Sequence, residues 1–205
     1  MLLILHFFLG ITISFLGSLT PSMLNMTATK ISLNNGKKEA IKYAFGVSFI
    51  VLLQAYLATL FTRYLSSHPA FVNSLQKIAL VIFSILSFYF YKQYKKEKVK
   101  ITVKKDAYKN TFIVGVLLSS LNMFSIPFYC GVTTALDVTG WLQFLQKYII
   151  SFVLGSAIGT FLLLYMYLKY ASFIQSKSKK LSRNLNLILS ILTGVLSVIT
   201  LMKLI

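Results

Sequence analysis

The 205-residue chain is 57% hydrophobic and only 12% charged, which leaves too little polar surface to cover a soluble domain of this size. A formal net charge of +17 would suit nucleic acid in a soluble protein, so the placement of the cations has to decide. Of the 21 basic residues, 17 fall in three connections between apolar runs, a pattern that reads as membrane topology and excludes a nucleic-acid platform.

In chain order the spans are predicted over residues 2–29, 43–62, 71–91, 110–136, 148–168 and 184–202. About 20 helical residues cross the hydrocarbon core, and each run approaches or exceeds that length. The predicted fold class is therefore all-α, a polytopic membrane protein of six helices forming one transmembrane domain over 1–205. No Lys or Arg precedes Lys30, so residues 1–29 lack the basic start of a cleavable signal peptide and read as a span. The third run carries Lys77 near its start and needs that side chain to snorkel to the interface. The connections holding Lys30 to Lys42, Lys92 to Lys109 and Lys169 to Arg183 are cytoplasmic by the positive-inside rule, which puts both termini outside.

Six spans divide three and three around the Lys-rich connection at 92–109. Because three is odd, the second half (about 110–205) enters the bilayer in the sense opposite to the first (about 1–92), and any repeat is inverted. The first helices of the halves correspond: Gly10 leads to Pro21, and Gly115 to Pro127, each proline following a short polar stretch. A proline inside a helix removes one N–H donor and displaces the carbonyl four residues back, here Gly17 and Met123. In lipid such carbonyls need a partner, and transporters with inverted repeats place solutes at breaks of this kind. The amides after Pro21 and Pro127 are expected to bind an amino-acid carboxylate. The Gly17 or Met123 carbonyls, with Thr20, Asn25 and Asn122, are expected to receive its ammonium group.

Other polar residues have two readings each. Gln54, in the middle of span two, points into the bundle, where it binds solute or bonds a neighbouring helix. Gly155 and Gly159 form a Gly-x-x-x-Gly pattern for close backbone approach, within the monomer or in a homodimer. His6 and Trp141 read as interfacial residues, and Cys130, a lone thiol within span four, forms no intrachain disulfide. The four acids, Glu39, Glu97, Asp106 and Asp137, fall outside the predicted hydrocarbon. That removes catalytic acids and metal ligands from the spans, so no enzyme, no metal site and no cofactor is expected, and a neutral solute is preferred over a cationic one.

The stretch Phe15-Leu16-Gly17-Ser18-Leu19-Thr20-Pro21-Ser22-Met23-Leu24-Asn25, the later Gly36, Lys37, Lys38 and Gly46, and Leu121-Asn122-Met123-Phe124 resemble the LysE-type amino-acid exporter family. Ser22 and Met23 stand where the family has a glycine and a second proline, and Asn122-Met123 replaces its Asn-Pro pair with Pro127 displaced downstream, as in a divergent member. The resemblance implies outward transport of amino acids across a bacterial plasma membrane, driven by the proton gradient. Rival readings are a carrier of a metal ion or anion and a membrane assembly factor without a transport cycle.

Overall fold

The computed structural model describes residues 1–19, 22–66, 110–122 and 124–176, together with helical positions 81, 84, 85, 87–89, 91, 92, 190, 191, 194, 195, 197–199, 201 and 202. The chain divides into two compact units, Met1–Tyr64 with Val103–Gln175, and Leu65–Thr102 with Ser176–Ile205.

The first unit is built from helices α1 (Leu2–Gly17), α2 (Met23–Asn34), α3 (Lys37–Ser66), α4 (Thr111–Ser120), α5 (Ser125–Val138) and α6 (Gln146–Lys169). Their ends are written in local chemistry. Ser22 Oγ accepts the Asn25 N–H at the start of α2, and Asn110 Oδ1 accepts the Ile113 N–H at the start of α4. Gly36 has φ 89°, a left-handed conformation that costs a residue with a Cβ, and it turns the chain from α2 into α3.

Among the described residues, α3 and α6 are each long and apolar enough to cross a membrane, and they contain the predicted spans at 43–62 and 148–168. The predicted spans at 2–29 and 110–136 are not single helices. The first is split between α1 and α2 by residues 18–22, and the second is α4 plus α5, bent by 62°. Taking the bent pair as one span gives three candidates among the described residues.

Two crossings bring helices together without side chains between them. A Cβ on Gly10 of α1 would lie 2.1 Å from the Phe152 carbonyl oxygen of α6, and one on Gly155 would lie 2.1 Å from that of Phe7. Likewise, a Cβ on Gly46 of α3 would lie 2.3 Å from the Phe112 oxygen of α4, and one on Gly115 would lie 2.3 Å from that of Tyr43. The two crossings share one register: Phe7, Gly10 and Ile11 answer to Phe112, Gly115 and Val116, while Tyr43, Gly46 and Val47 answer to Phe152, Gly155 and Ser156. Gly159 also approaches Ile11, so the Gly-x-x-x-Gly pattern is used inside the chain. In lipid, where an apolar side chain gains nothing by leaving the solvent, close approach of this kind is a main source of helix association.

His6, read from sequence as lying near the outer end of the first span, is fully buried against the other helices. Its Nδ1–H donates to the Leu2 carbonyl at 2.7 Å, its Nε2 accepts the Gln143 N–H at 3.2 Å, and its ring stacks on Tyr148 at 4.7 Å. His6→Phe keeps the stack and loses both hydrogen bonds. A loss of about 1–2 kcal/mol of stability is expected, read as a lower melting temperature in detergent.

In the second unit, the helical positions at 81–92 and 190–202 meet through small polar residues. Ser87 Oγ donates to the Ser190 carbonyl at 3.0 Å, Ser190 Oγ returns a bond to the Ser87 carbonyl at 3.1 Å, and the hydroxyls of Ser84 and Ser197 are 2.8 Å apart. The pairing runs antiparallel. Gly194 leaves room for Ser87, and these residues with Phe88 and Tyr91 line a cavity of about 410 Å³.

Candidate functional site

The polar interior of the first unit is concentrated at the two interruptions. α1 closes with the Ser18 and Leu19 N–H groups donating to the Ser14 and Leu16 carbonyls, which leaves its last carbonyls pointing past the helix end. Two side-chain donors reach them. Asn25 Nδ2, from the first turn of α2, donates to the Ser18 carbonyl at 2.7 Å, and the Tyr167 hydroxyl of α6 donates to the Leu19 carbonyl at 2.8 Å. Among the described residues, the carbonyls that receive a side-chain donor at this break are those of Ser18 and Leu19, next to the Gly17 expected from sequence.

Gly17 has a different use. A Cβ there would sit 2.1 Å from Cζ of Phe128, so the bare position admits the Phe128 ring and lets α5 come up to the end of α1. One turn earlier, Ser14 Oγ lies 2.8 Å from the Tyr129 hydroxyl of α5 and 2.7 Å from Thr160 Oγ1 of α6. Ser156, one turn before Thr160 on α6, donates to the Phe152 carbonyl of its own helix at 3.0 Å. All four residues are buried.

The second interruption lies between Ser120 and Ser125, ahead of Pro127. Pro127 is the third residue of α5, where a missing N–H costs no helical bond, so this proline starts a helix and does not break one. Asn122 organises the bend. Its N–H donates to the Ser119 carbonyl at 3.0 Å, its Nδ2 donates to Ser125 Oγ at 2.9 Å, and its Oδ1 accepts the Phe124 N–H at 3.4 Å. Gln54 of α3 reaches the same place, with Nε2 donating to the Ser119 carbonyl at 2.9 Å. Its Oε1 and the Ser48 hydroxyl oxygen are buried without a hydrogen-bond partner among the described residues.

Of the residues expected from sequence, Gly17 and Asn25 gather at the first interruption, and Gln54, Asn122 and Pro127 at the second. Thr20, Pro21 and Met123 lie outside the described residues. Ser14, Tyr129, Ser156, Thr160 and Tyr167 were not expected. A signal for two of them was present: Ser156 and Thr160 each follow a glycine of the Gly-x-x-x-Gly pattern and so fall beside the face that α1 approaches. Glu39, at the charged start of α3, accepts from Thr111 and from Lys42 at 2.8 and 2.6 Å, away from both interruptions. Glu97 and Asp106 lie outside the described residues. Among the described residues no group of three or more His, Cys, Asp and Glu could hold a metal ion.

Helices of membrane length, a bent span and a buried site of hydroxyls, amides and carbonyls define a polytopic membrane protein with a polar interior. The chain belongs to the LysE type translocator family, whose model matches residues 15–203. It is a multi-pass membrane transporter of small solutes, and not an enzyme. No curated protein and no solved structure matches it.

Proposed function

We propose that the protein exports neutral amino acids, or close derivatives of them, from a bacterial cell by alternating access. The observation that carries this reading is the meeting of the two interrupted helices, in which Ser14 bonds Tyr129 and Gly17 admits the Phe128 ring. A solute held there contacts both halves, and a shift of one half against the other exposes it to one side or the other. The shared register of the two glycine crossings supports six spans arranged as two inverted three-helix repeats, about 1–92 and 110–205. The Lys-rich connections support a cytoplasmic position for 92–109 and outward-facing termini.

Amides, hydroxyls and carbonyls suit the carboxylate and ammonium groups common to all amino acids. Neither described acid, Glu39 nor Asp137, lies at an interruption to pair with a cationic side chain, which favours neutral substrates. Cells fed an excess of leucine- or threonine-containing dipeptides provide the test. Deletion is expected to raise the intracellular pool of the freed amino acid several-fold and overexpression to lower it, with excess lysine failing to compete. Equal pools in both strains would overturn the proposal.

A further inference from the structure

The two interruptions differ in what is left over. At the first, Asn25 and Tyr167 supply donors to the Ser18 and Leu19 carbonyls. At the second, the Gln54 amide is oriented by its own bond: Nε2 donates to the Ser119 carbonyl, and turning the group over would set two acceptor oxygens against each other. Oε1 is therefore directed away from Ser119, and it is buried with no partner among the described residues. Gln54 itself is 7% exposed. A buried, unpaired amide oxygen is costly and calls for an occupant that donates.

The surroundings say which kind of donor. The ten-residue helix α4 ends here, and its last carbonyls carry the negative end of the helix dipole. Ser119 already takes two donors, from Gln54 Nε2 and the Asn122 N–H, so its carbonyl oxygen is a strong local acceptor rather than a vacant one. An oxygen placed beside a negative helix end favours a donor bearing positive charge and repels a carboxylate.

We infer that Gln54 Oε1 at the second interruption binds the ammonium group of the transported amino acid. This rests on the reading of the protein as an amino-acid transporter, and it orients the substrate in that site with its amino end toward the end of α4. An ammonium group donates three hydrogen bonds and accepts none, which fits this acceptor. Gln54 is then a specificity-determining residue for α-amino acids over their deaminated counterparts.

The test uses the full-length protein purified in detergent, with L-leucine and 4-methylpentanoate as probes, because these share a carboxylate and side chain and differ in the amino group. Calorimetric titration of the wild type is expected to favour leucine at least tenfold. In Gln54→Leu, leucine affinity should fall at least tenfold while that for 4-methylpentanoate stays within twofold, so the preference collapses. Gln54→Met matches glutamine in length and also lacks the amide oxygen, so it should lose the preference in the same way, which covers the case in which the leucine variant does not fold.

Wild-type preference retained in both variants overturns the assignment, and so does an equal loss for both probes, since that marks a purely structural bond to Ser119. Titrations repeated with choline in place of sodium separate the remaining source of positive charge. A wild type whose melting temperature rises with sodium, an effect lost in Gln54→Leu while the leucine preference survives, would assign the oxygen to a metal cation and overturn the inference. A wild type that neither binds leucine nor alters any neutral amino-acid pool in the feeding experiment would bring down the transport reading itself. Transport that persists with an unaltered preference in the variants brings down only the role of Gln54.

Discussion

Gly155→Ala is expected to destabilise the protein by about 2–3 kcal/mol, roughly 4–12 °C in melting temperature, and to reduce the yield of folded protein. The added methyl would lie 2.1 Å from the Phe7 oxygen and 3.0 Å from its carbon, and both atoms are backbone. No rotamer change relieves such a clash, so α1 and α6 must separate. Gly10→Ala meets the Phe152 carbonyl oxygen at the same distance, 2.1 Å, from the other side of the same crossing.

Combining the two tests the geometry more sharply than either alone. Once one methyl has forced the helices apart, the second occupies space already opened, so the double variant should lose clearly less than the two single losses combined. Gly10→Ala paired with Gly46→Ala acts at separate crossings and should be close to additive. Gly131→Ala is the control, because a Cβ there meets nothing within 4 Å and replacing a helical glycine is expected to be neutral or to stabilise by about 0.5–1 kcal/mol. A Gly155→Ala protein that melts with the Gly131→Ala protein would mean that these helices do not touch backbone to backbone.

The long spans were legible because their signal is local. The predicted runs at 43–62 and 148–168 sit inside α3 and α6 since an uncharged apolar stretch of that length has few other solutions. The presence of an interruption in each first helix was also legible, from a proline beside small and polar residues. Its exact position was not. Pro127 marks the start of α5, and the bend that precedes it depends on bonds from Asn122 to Ser119, Ser125 and Phe124 that no spacing rule predicts.

The hydroxyl cluster was beyond sequence reasoning for a different reason. Ser14 meets partners 115 and 146 positions away, and an isolated serine in an apolar helix equally well bonds its own backbone. His6 illustrates the same limit: nothing near it in sequence shows its acceptor role toward Gln143, which comes from the distant turn that enters α6. Gly155 and Gly159 were recognised as a contact surface, but only the structure identifies α1 as what they contact.

Asn25→Leu is expected to cut transport at least tenfold while leaving a folded, monodisperse protein. Leucine has the same number of side-chain heavy atoms as asparagine and the same branch at Cγ, so the change removes hydrogen-bonding chemistry while filling the site with slightly bulkier methyl groups. What is lost is the donor to the Ser18 carbonyl, at the point where α1 ends and no helical N–H remains to serve that carbonyl. A buried carbonyl stripped of its donor costs about 1–3 kcal/mol. Bonds between membrane helices average nearer 0.6 kcal/mol when each is removed alone. The lower figure applies to Tyr167→Phe, which takes one bond from Leu19, so that variant should retain much of the wild-type flux. Asn25→Asp is the decisive comparison. It preserves shape and polarity but, when ionised, offers the Ser18 carbonyl an acceptor in place of a donor, and repulsion should make it the most impaired of the three. Flux into proteoliposomes is therefore expected to fall in the order wild type, Tyr167→Phe, Asn25→Leu, Asn25→Asp. Wild-type flux in the aspartate variant would show that the bond across the break does not hold the two half-helices in their working geometry.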